Sequence, residues 1–293
     1  MTSTTSSASS AMFTLAMRGN VTPGNPLAGA VSRCLGSPHD DGRDPSAANG
    51  GPPRRSSGGG AGISTDSGIP DYRGPNGVWR QDPEAERLVT YGPYMADPEI
   101  RRRSWRMRLD SSALNAEPNT AHHAIAAYER TSGHALRVIT QNVDGLHQAS
   151  GVPERKILEL HGSARSVVCT ACHARSSMAE ALDRVRAGED DPDCRVCGGI
   201  LKAATVMFGQ RLDPVLLGQA MSIAKATEVF VAVGSSLQVQ PAASLAGIAA
   251  EHGARLIIVN AEPTPYDPVA DEVVREPIGT ALPALLDRLR NTP

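Results

Sequence analysis

The sequence predicts an α/β protein: a Rossmann-like parallel sheet with helices on both faces, plus a small inserted zinc-ribbon and helical module. Three observations predict it. Short apolar runs alternate with helical segments, those runs end in amide or small residues, and four of the five cysteines form two C-x-x-C pairs.

At 293 residues and 40% hydrophobic composition, the chain can bury a sizeable core in one large domain with an insertion. The net charge of −2 gives no basic excess to attract nucleic acid. Lys156, Lys202 and Lys225 are the only lysines, and with abundant Ala and Gly this reads as a GC-rich coding bias. No apolar run approaches the roughly 20 residues of a membrane span. The apolar patch Ala11 to Met17 is interrupted by Thr14 and lacks a basic leader, so a secretory signal is not expected. An odd cysteine count fits a reducing compartment and a metal site, hence a cytoplasmic location; Cys34 is the spare.

Residues 1–58 are rich in Ser, Thr, Gly, Pro and Ala, without a strand or helix period, and read as a disordered or mistranslated tail. The domain proper is expected over 59–293, with a helical insertion at about 75–118 and the zinc ribbon at about 165–201. Asn119 to Arg130 has helical spacing at Ala124, Ile125 and Tyr128. Buried strands are expected at Arg137 to Thr140, Val229 to Val233 and Leu256 to Val259. Helices are expected from Pro214 to Lys225 and from Ala242 to His252, with Gly253 as a stop.

The three strands end in Gln141-Asn142, Gly234-Ser235-Ser236 and Asn260. Ligands of open α/β sheets bind beyond such carboxyl ends, so the three ends together predict a pocket. Any one of them alone is equally a turn.

Cys169-x-x-Cys172 and Cys194-x-x-Cys197 are separated by 21 residues. Four thiolates fill a tetrahedral zinc site and leave no position for water, which marks a structural ion. Gly198-Gly199 supplies the turn of a zinc knuckle. A redox pair would also use C-x-x-C, but two such pairs favour zinc. His173 is expected to face solvent.

Gly60-Ala61-Gly62-Ile63-Ser64 holds the G-x-G of a dinucleotide loop without its third glycine. Ile69-Pro70-Asp71-Tyr72-Arg73 follows, a loop able to clamp a ligand or to be a plain surface turn. His161, in Leu160-His161-Gly162, is a candidate general base or a structural histidine.

In this order the motifs resemble the sirtuins, the Sir2 family of NAD-dependent protein lysine deacylases, bacterial type. The resemblance runs from Gly60 to about Leu286 and includes Thr140-Gln141-Asn142-Val143-Asp144-Gly145-Leu146-His147 and Gly234-Ser235-Ser236-Leu237. It implies NAD as co-substrate and one structural zinc ion. The cofactor residues would be Gly60, Ala61, Gly62, Ile63, Asp71, Tyr72, Arg73, Gln141, Asn142, Asp144, Gly234, Ser235, Ser236, Asn260, Glu262 and Ala281. His161, Asn142 and Asp144 would be catalytic, with His161 deprotonating a ribose hydroxyl. Val206, Phe208 and Gly209 would pair with the substrate backbone as a strand. The products would be free lysine, nicotinamide and O-acyl-ADP-ribose. The partner would be acylated lysine in proteins, met by a monomer that binds neither membrane nor nucleic acid.

Three departures stand out. Sirtuins carry a hydrophobic strand before the glycine turn, and Ser56 to Gly59 stands there instead, so the first strand is expected to be missing or degraded, either through a mistranslated start or with part of the tail pairing poorly in its place. A catalytically impaired ADP-ribose or protein-binding module is therefore an alternative function. Lys202 to Gln210 lacks the Pro, Asp and Glu of many relatives. Trp105 and Arg108 stand where desuccinylating members present Tyr and Arg, which leaves the acyl preference open. Glu189-Asp190-Asp191 between the cysteine pairs opposes a nucleic-acid-binding ribbon. The acids of a dehydrogenase are not in place.

Overall fold

The computed structural model describes residues 13–18, 62–69 and 83–291. Strand β1 (Phe13–Arg18) comes first, followed by a 3-10 turn at Gly62–Ser67. Helices α1 (Pro83–Arg87), α2 (Tyr91–Ala96) and α3 (Pro98–Asp110) form the helical insertion. Helix α4 (Thr120–Thr131) then leads through strand β2 (Ala135–Thr140) and the short α5 (Leu146–Ala149) to β3 (Ile157–Glu159). The small module holds β4 (Gly162–Cys169), β5 (Arg175–Ser177), α6 (Met178–Arg186) and β6 (Leu201–Thr205). The chain returns to the main sheet through α7 (Pro214–Ala226), β7 (Val229–Val233), α8 (Ser244–Glu251), β8 (Arg255–Val259), β9 (Glu272–Val274) and α9 (Ile278–Arg290).

The main sheet has the order β3-β2-β1-β7-β8-β9. Neighbours β2–β3, β7–β8 and β8–β9 are parallel, as expected for a Rossmann-like sheet. The central strand corrects two expectations. The slot is filled, by residues that the sequence reading left in a tail, and β1 runs antiparallel to both β2 and β7. Phe13 stands level with Thr140 and Val233, and Arg18 with Ala135. The sheet is therefore mixed. An empty slot would strand the backbone donors and acceptors of β2 and β7 away from water, and β1 satisfies them.

Period-two alternation distributes the side chains of β1 over both faces. Leu15 and Met17 join Leu136, Val138, Val231, Ile257, Ile125 of α4 and Leu282 of α9 in one core layer. On the other face Ile139, Phe230, Leu256 and Ile258 pack with Ala220 of α7 and Leu245 of α8. Leu15 is 0% exposed, a burial worth about 1.5–3 kcal/mol. Asn119 caps α4 by accepting from the Ala121 and His122 N–H groups, which sets the start of the expected helix.

The second sheet, β5-β4-β6, is antiparallel. Its apolar side packs on α6 and on Trp105 of α3. Most arginines of α3 pair with acids. Arg101 pairs with Asp191 at 2.8 Å, Arg102 with Glu99, and Arg106 with Asp190. Two of those acids belong to the connection between the cysteine pairs, so the basic helix and the acidic loop seen in sequence clamp module to insertion.

Candidate active site and zinc centre

The four cysteines converge. Their Sγ atoms all lie within 4.8 Å of one another. Cys169 and Cys197 Sγ are 3.5 Å apart, and Cys172 and Cys194 Sγ are 3.6 Å apart. Tetrahedral zinc with Zn–S bonds near 2.3 Å requires sulfur separations of about 3.8 Å, so the donor set fits the ion. Cβ on Gly199 would lie 3.0 Å from Cys169 Sγ and 3.2 Å from Cys197 Sγ, which explains the second knuckle glycine. His173 is exposed, as expected. Zinc bound here would tie the two knuckles together and offer no open position.

At the carboxyl ends of β2 and β7 the expected cleft residues come together. Asp144 Oδ2 accepts from Ser64 Oγ at 2.8 Å and from Asn142 Nδ2 at 3.2 Å, while Asn142 Nδ2 also donates to Ser64 Oγ at 2.9 Å. Asp144 Oδ1 accepts the Leu146 N–H at 2.9 Å, at the start of α5. His161 follows β3, where the Leu160 N–H extends the ladder to the Thr140 carbonyl. The His161 Nδ1 lies 3.1 Å from the Gln141 carbonyl oxygen. Donation from Nδ1–H to that carbonyl makes Nε2 the basic nitrogen, the tautomer a general base needs.

The glycine turn reaches the same place. Gly62 and Gly234 both have left-handed φ, at 58° and 61°. A Cβ on Gly234 would lie 2.6 Å from Gly62 Cα and 2.8 Å from the Ile63 nitrogen, so the two backbones touch only because side chains are absent. Ile63 itself is buried in the core, and Ser235 is 2% exposed with Oγ accepting the Leu237 N–H. Ser236 Oγ is buried with no hydrogen-bond partner among the described residues. A side-chain-free cradle with an orphaned hydroxyl beside it fits a dinucleotide phosphate. Gly60, Ala61, Asp71, Tyr72 and Arg73 lie outside the described residues.

Asn260 ends β8 with Nδ2 donating to the Glu262 carbonyl, and Arg275 Nη1 bonds the carbonyls of both residues. Ala281 sits in the first turns of α9, half-buried against the core. Nearer the module, the Val206 N–H donates to the His161 carbonyl at 2.8 Å.

Two assignments change. Trp105 is 0% exposed among Val167, Met178 and Leu182, so it is a core residue of the module and not an acyl contact. Arg108 folds back onto Ser104, donating to its carbonyl and hydroxyl. The Phe208 N–H donates to the Val89 carbonyl and its C=O accepts the Tyr91 N–H, so its backbone is paired with the insertion.

Sequence reasoning gave no role to Ser64, which bridges Asn142 and Asp144, or to Asn119. Asn119 Nδ2 holds the Ile63 carbonyl at 2.7 Å and Ser67 Oγ at 3.0 Å. Beneath this network His122 and His147 are buried with ring centroids 5.0 Å apart. Burial pushes His122 down to about 4 and His147 well below the ordinary histidine range. Ser64 was legible only as the residue closing the glycine motif.

The model of the Sir2 family matches residues 60–241. The chain belongs to the Sir2 family. Its similarity extends beyond the matched span. NAD-dependent protein deacetylase 2 of Streptomyces coelicolor is 70% identical over 236 residues, covering 80% of this chain and 98% of the relative. NAD-dependent protein deacetylase 1 of Pyrobaculum aerophilum is 45% identical over 234 residues, covering 79% and 88%. A structure solved under "Structural Basis for the Mechanism and Regulation of Sir2 Enzymes" superposes with a TM-score of 0.67 at 41% identity, covering 78% and 91%. A Sir2 histidine mutant with a deacetylated p53 peptide and 3′-O-acetyl ADP-ribose gives 0.69 at 30% identity, covering 80% and 92%.

Proposed function

We propose that this chain removes acyl groups from lysine side chains of proteins with NAD as co-substrate, releasing nicotinamide and O-acyl-ADP-ribose. One observation carries the reading: His161, Asn142, Asp144 and the Gly62–Gly234 contact meet at the carboxyl ends of β2 and β7. Bound NAD supplies an anomeric carbon whose bond to nicotinamide can be broken. The protein contributes position and proton transfer. Asn142 and Asp144, held by Ser64, line the nicotinamide end. His161 Nε2 takes a proton from a ribose hydroxyl while the Gln141 carbonyl fixes the ring. Gly234, Ser235 and Ser236 hold the pyrophosphate with Gly60 to Ile63. Asn260, Glu262 and Ala281 flank the adenosine, and Asp71, Tyr72 and Arg73 complete the clamp.

The substrate strand lies along Val206 and Gly209, whose segment is anchored to His161 on one side and to Val89 and Tyr91 on the other. Zinc stays outside the chemistry. The catalytically impaired alternative rested on an empty central slot, and β1 fills that slot. A cytoplasmic setting belongs to the same proposal, supported by four cysteines grouped as metal ligands and not joined in disulfides; among the described residues no helix is long and apolar enough to cross a membrane.

The test is incubation with NAD and acetyl-, propionyl- and succinyl-lysine peptides, with nicotinamide release as the readout. Acyl-dependent release that disappears in His161→Ala supports the reading. Release that continues over many turnovers at the wild-type rate in that variant removes His161 as the base.

A further inference from the structure

We infer that Arg165, a residue of the zinc-bearing strand, is a positioning residue for the nicotinamide end of NAD; the inference rests on the function proposed above. Strand β4 begins beside His161 and ends at the zinc ligand Cys169. Its pairing with β6 slips along the way: Ser163 stands opposite Ala204, yet Val167 stands opposite the adjacent Ala203. Residues 164–166 thereby drop out of the pairing with β6, while Ser166 stays paired with Ser177 of β5. Bulges of this kind re-aim side chains beside active sites.

The released segment turns to the loop that carries Asn142 and Asp144. The Ala164 N–H donates to the Val143 carbonyl at 2.8 Å. Arg165 Nε donates to the Asp144 carbonyl at 2.7 Å. The next residue, Gly145, has φ of 72°, and a Cβ there would lie 2.5 Å from Arg165 Nε. The guanidinium therefore lies directly against the Gly145 backbone.

Two consecutive donors from β4 thus fix the main chain at the residue whose carboxylate organises Asn142, Ser64 and the start of α5. Arg165 is exposed, so it adds little apolar packing to the core. Its contribution is a charged donor in a fixed plane, held on the Asp144 main-chain carbonyl, and Glu159 is the acid that acts on it. Loss of the donor would let the Val143–Gly145 loop shift and would blur the nicotinamide contacts, while leaving the pyrophosphate cradle at Gly62 and Gly234 untouched.

The experiment is calorimetric titration of the zinc-loaded full chain with NAD and, separately, with ADP-ribose, which lacks nicotinamide. In Arg165→Met the NAD dissociation constant is expected to rise about tenfold, the scale of one charge-assisted hydrogen bond. ADP-ribose binding is expected to stay within about twofold, with zinc content unchanged. Arg165→Lys, which keeps a donor, should recover most of the NAD affinity. Gly145→Ala, which displaces the guanidinium, should reproduce the Arg165→Met selectivity. NAD binding unchanged in Arg165→Met overturns the inference, as does equal weakening of both ligands. Wild-type chain that binds neither ligand is a separate failure, and it removes the functional reading itself.

Discussion

Gly234 and Gly62 touch backbone to backbone, with 2.6 Å between a Cβ on the first and the Cα of the second. This contact joins the end of a central strand to the start of the glycine turn, two segments far apart in sequence. Gly234→Ala must open it, at a φ that L residues rarely adopt. The expected outcome is NAD affinity reduced by about tenfold or more, together with a thermal midpoint lowered by several degrees, because the clash is with main-chain atoms. Fluorescence or calorimetric titration with NAD checks this.

The second prediction concerns β1. Leu15 is fully buried between layers drawn from α4, β2, β7 and α9. Leu15→Asp would bury a charge without a partner and should cost about 3–5 kcal/mol. Thr14 is also fully buried, and its Oγ1 has no hydrogen-bond partner among the described residues. Thr14→Val should therefore stabilise the chain by about 1 kcal/mol. Urea denaturation midpoints of the two variants should move in opposite directions. No movement in either would mean that Phe13–Arg18 does not hold the central position.

Zinc removal should unfold the small module and abolish activity together, because the four thiolates lose their common partner. The metal makes no contact with the chemistry in this account. A Co2+-substituted enzyme should accordingly keep its kcat/KM within about twofold of the zinc form, since only a closed tetrahedral site is required. A large rate change on substitution would place the metal in the reaction.

Acid should destabilise the fold through the buried histidine pair. Burial depresses His122 from the ordinary 6.5 to about 4, with Asp144 opposing and His123 adding to the shift; His147 is depressed by burial and by His122. The unfolded chain binds protons below about 6.5 while the native pair does not, so stability falls as pH drops from about 6.5 toward 4. The His122 contribution is on the order of 2–3 kcal/mol. His122→Gln should flatten the pH dependence of the denaturation midpoint over that window, and an unchanged slope would contradict the assignment.

Much of this architecture was legible because its signals are local. The runs at Val229–Val233 and Arg255–Val259, the helical spacing that follows Asn119 and both C-x-x-C knuckles each announce themselves within a few residues. β1 did not, because its pattern is short, is broken by Thr14, and acquires meaning only from partners more than 100 residues away. Trp105 was misread because an arginine-rich helix surface conceals which single side chain turns inward. The Ser64–Asn142–Asp144 network joins residues 78 and 80 positions apart, a relationship that sequence spacing cannot carry.

The most direct test of the central claim is nicotinamide release from NAD in the presence and absence of an acyl-lysine peptide, with wild-type and His161→Ala chains side by side. The account predicts release that requires the acyl peptide and falls by about 100-fold or more in the variant, the scale of a lost general base. Release independent of the peptide, or equal in the two chains, would contradict it.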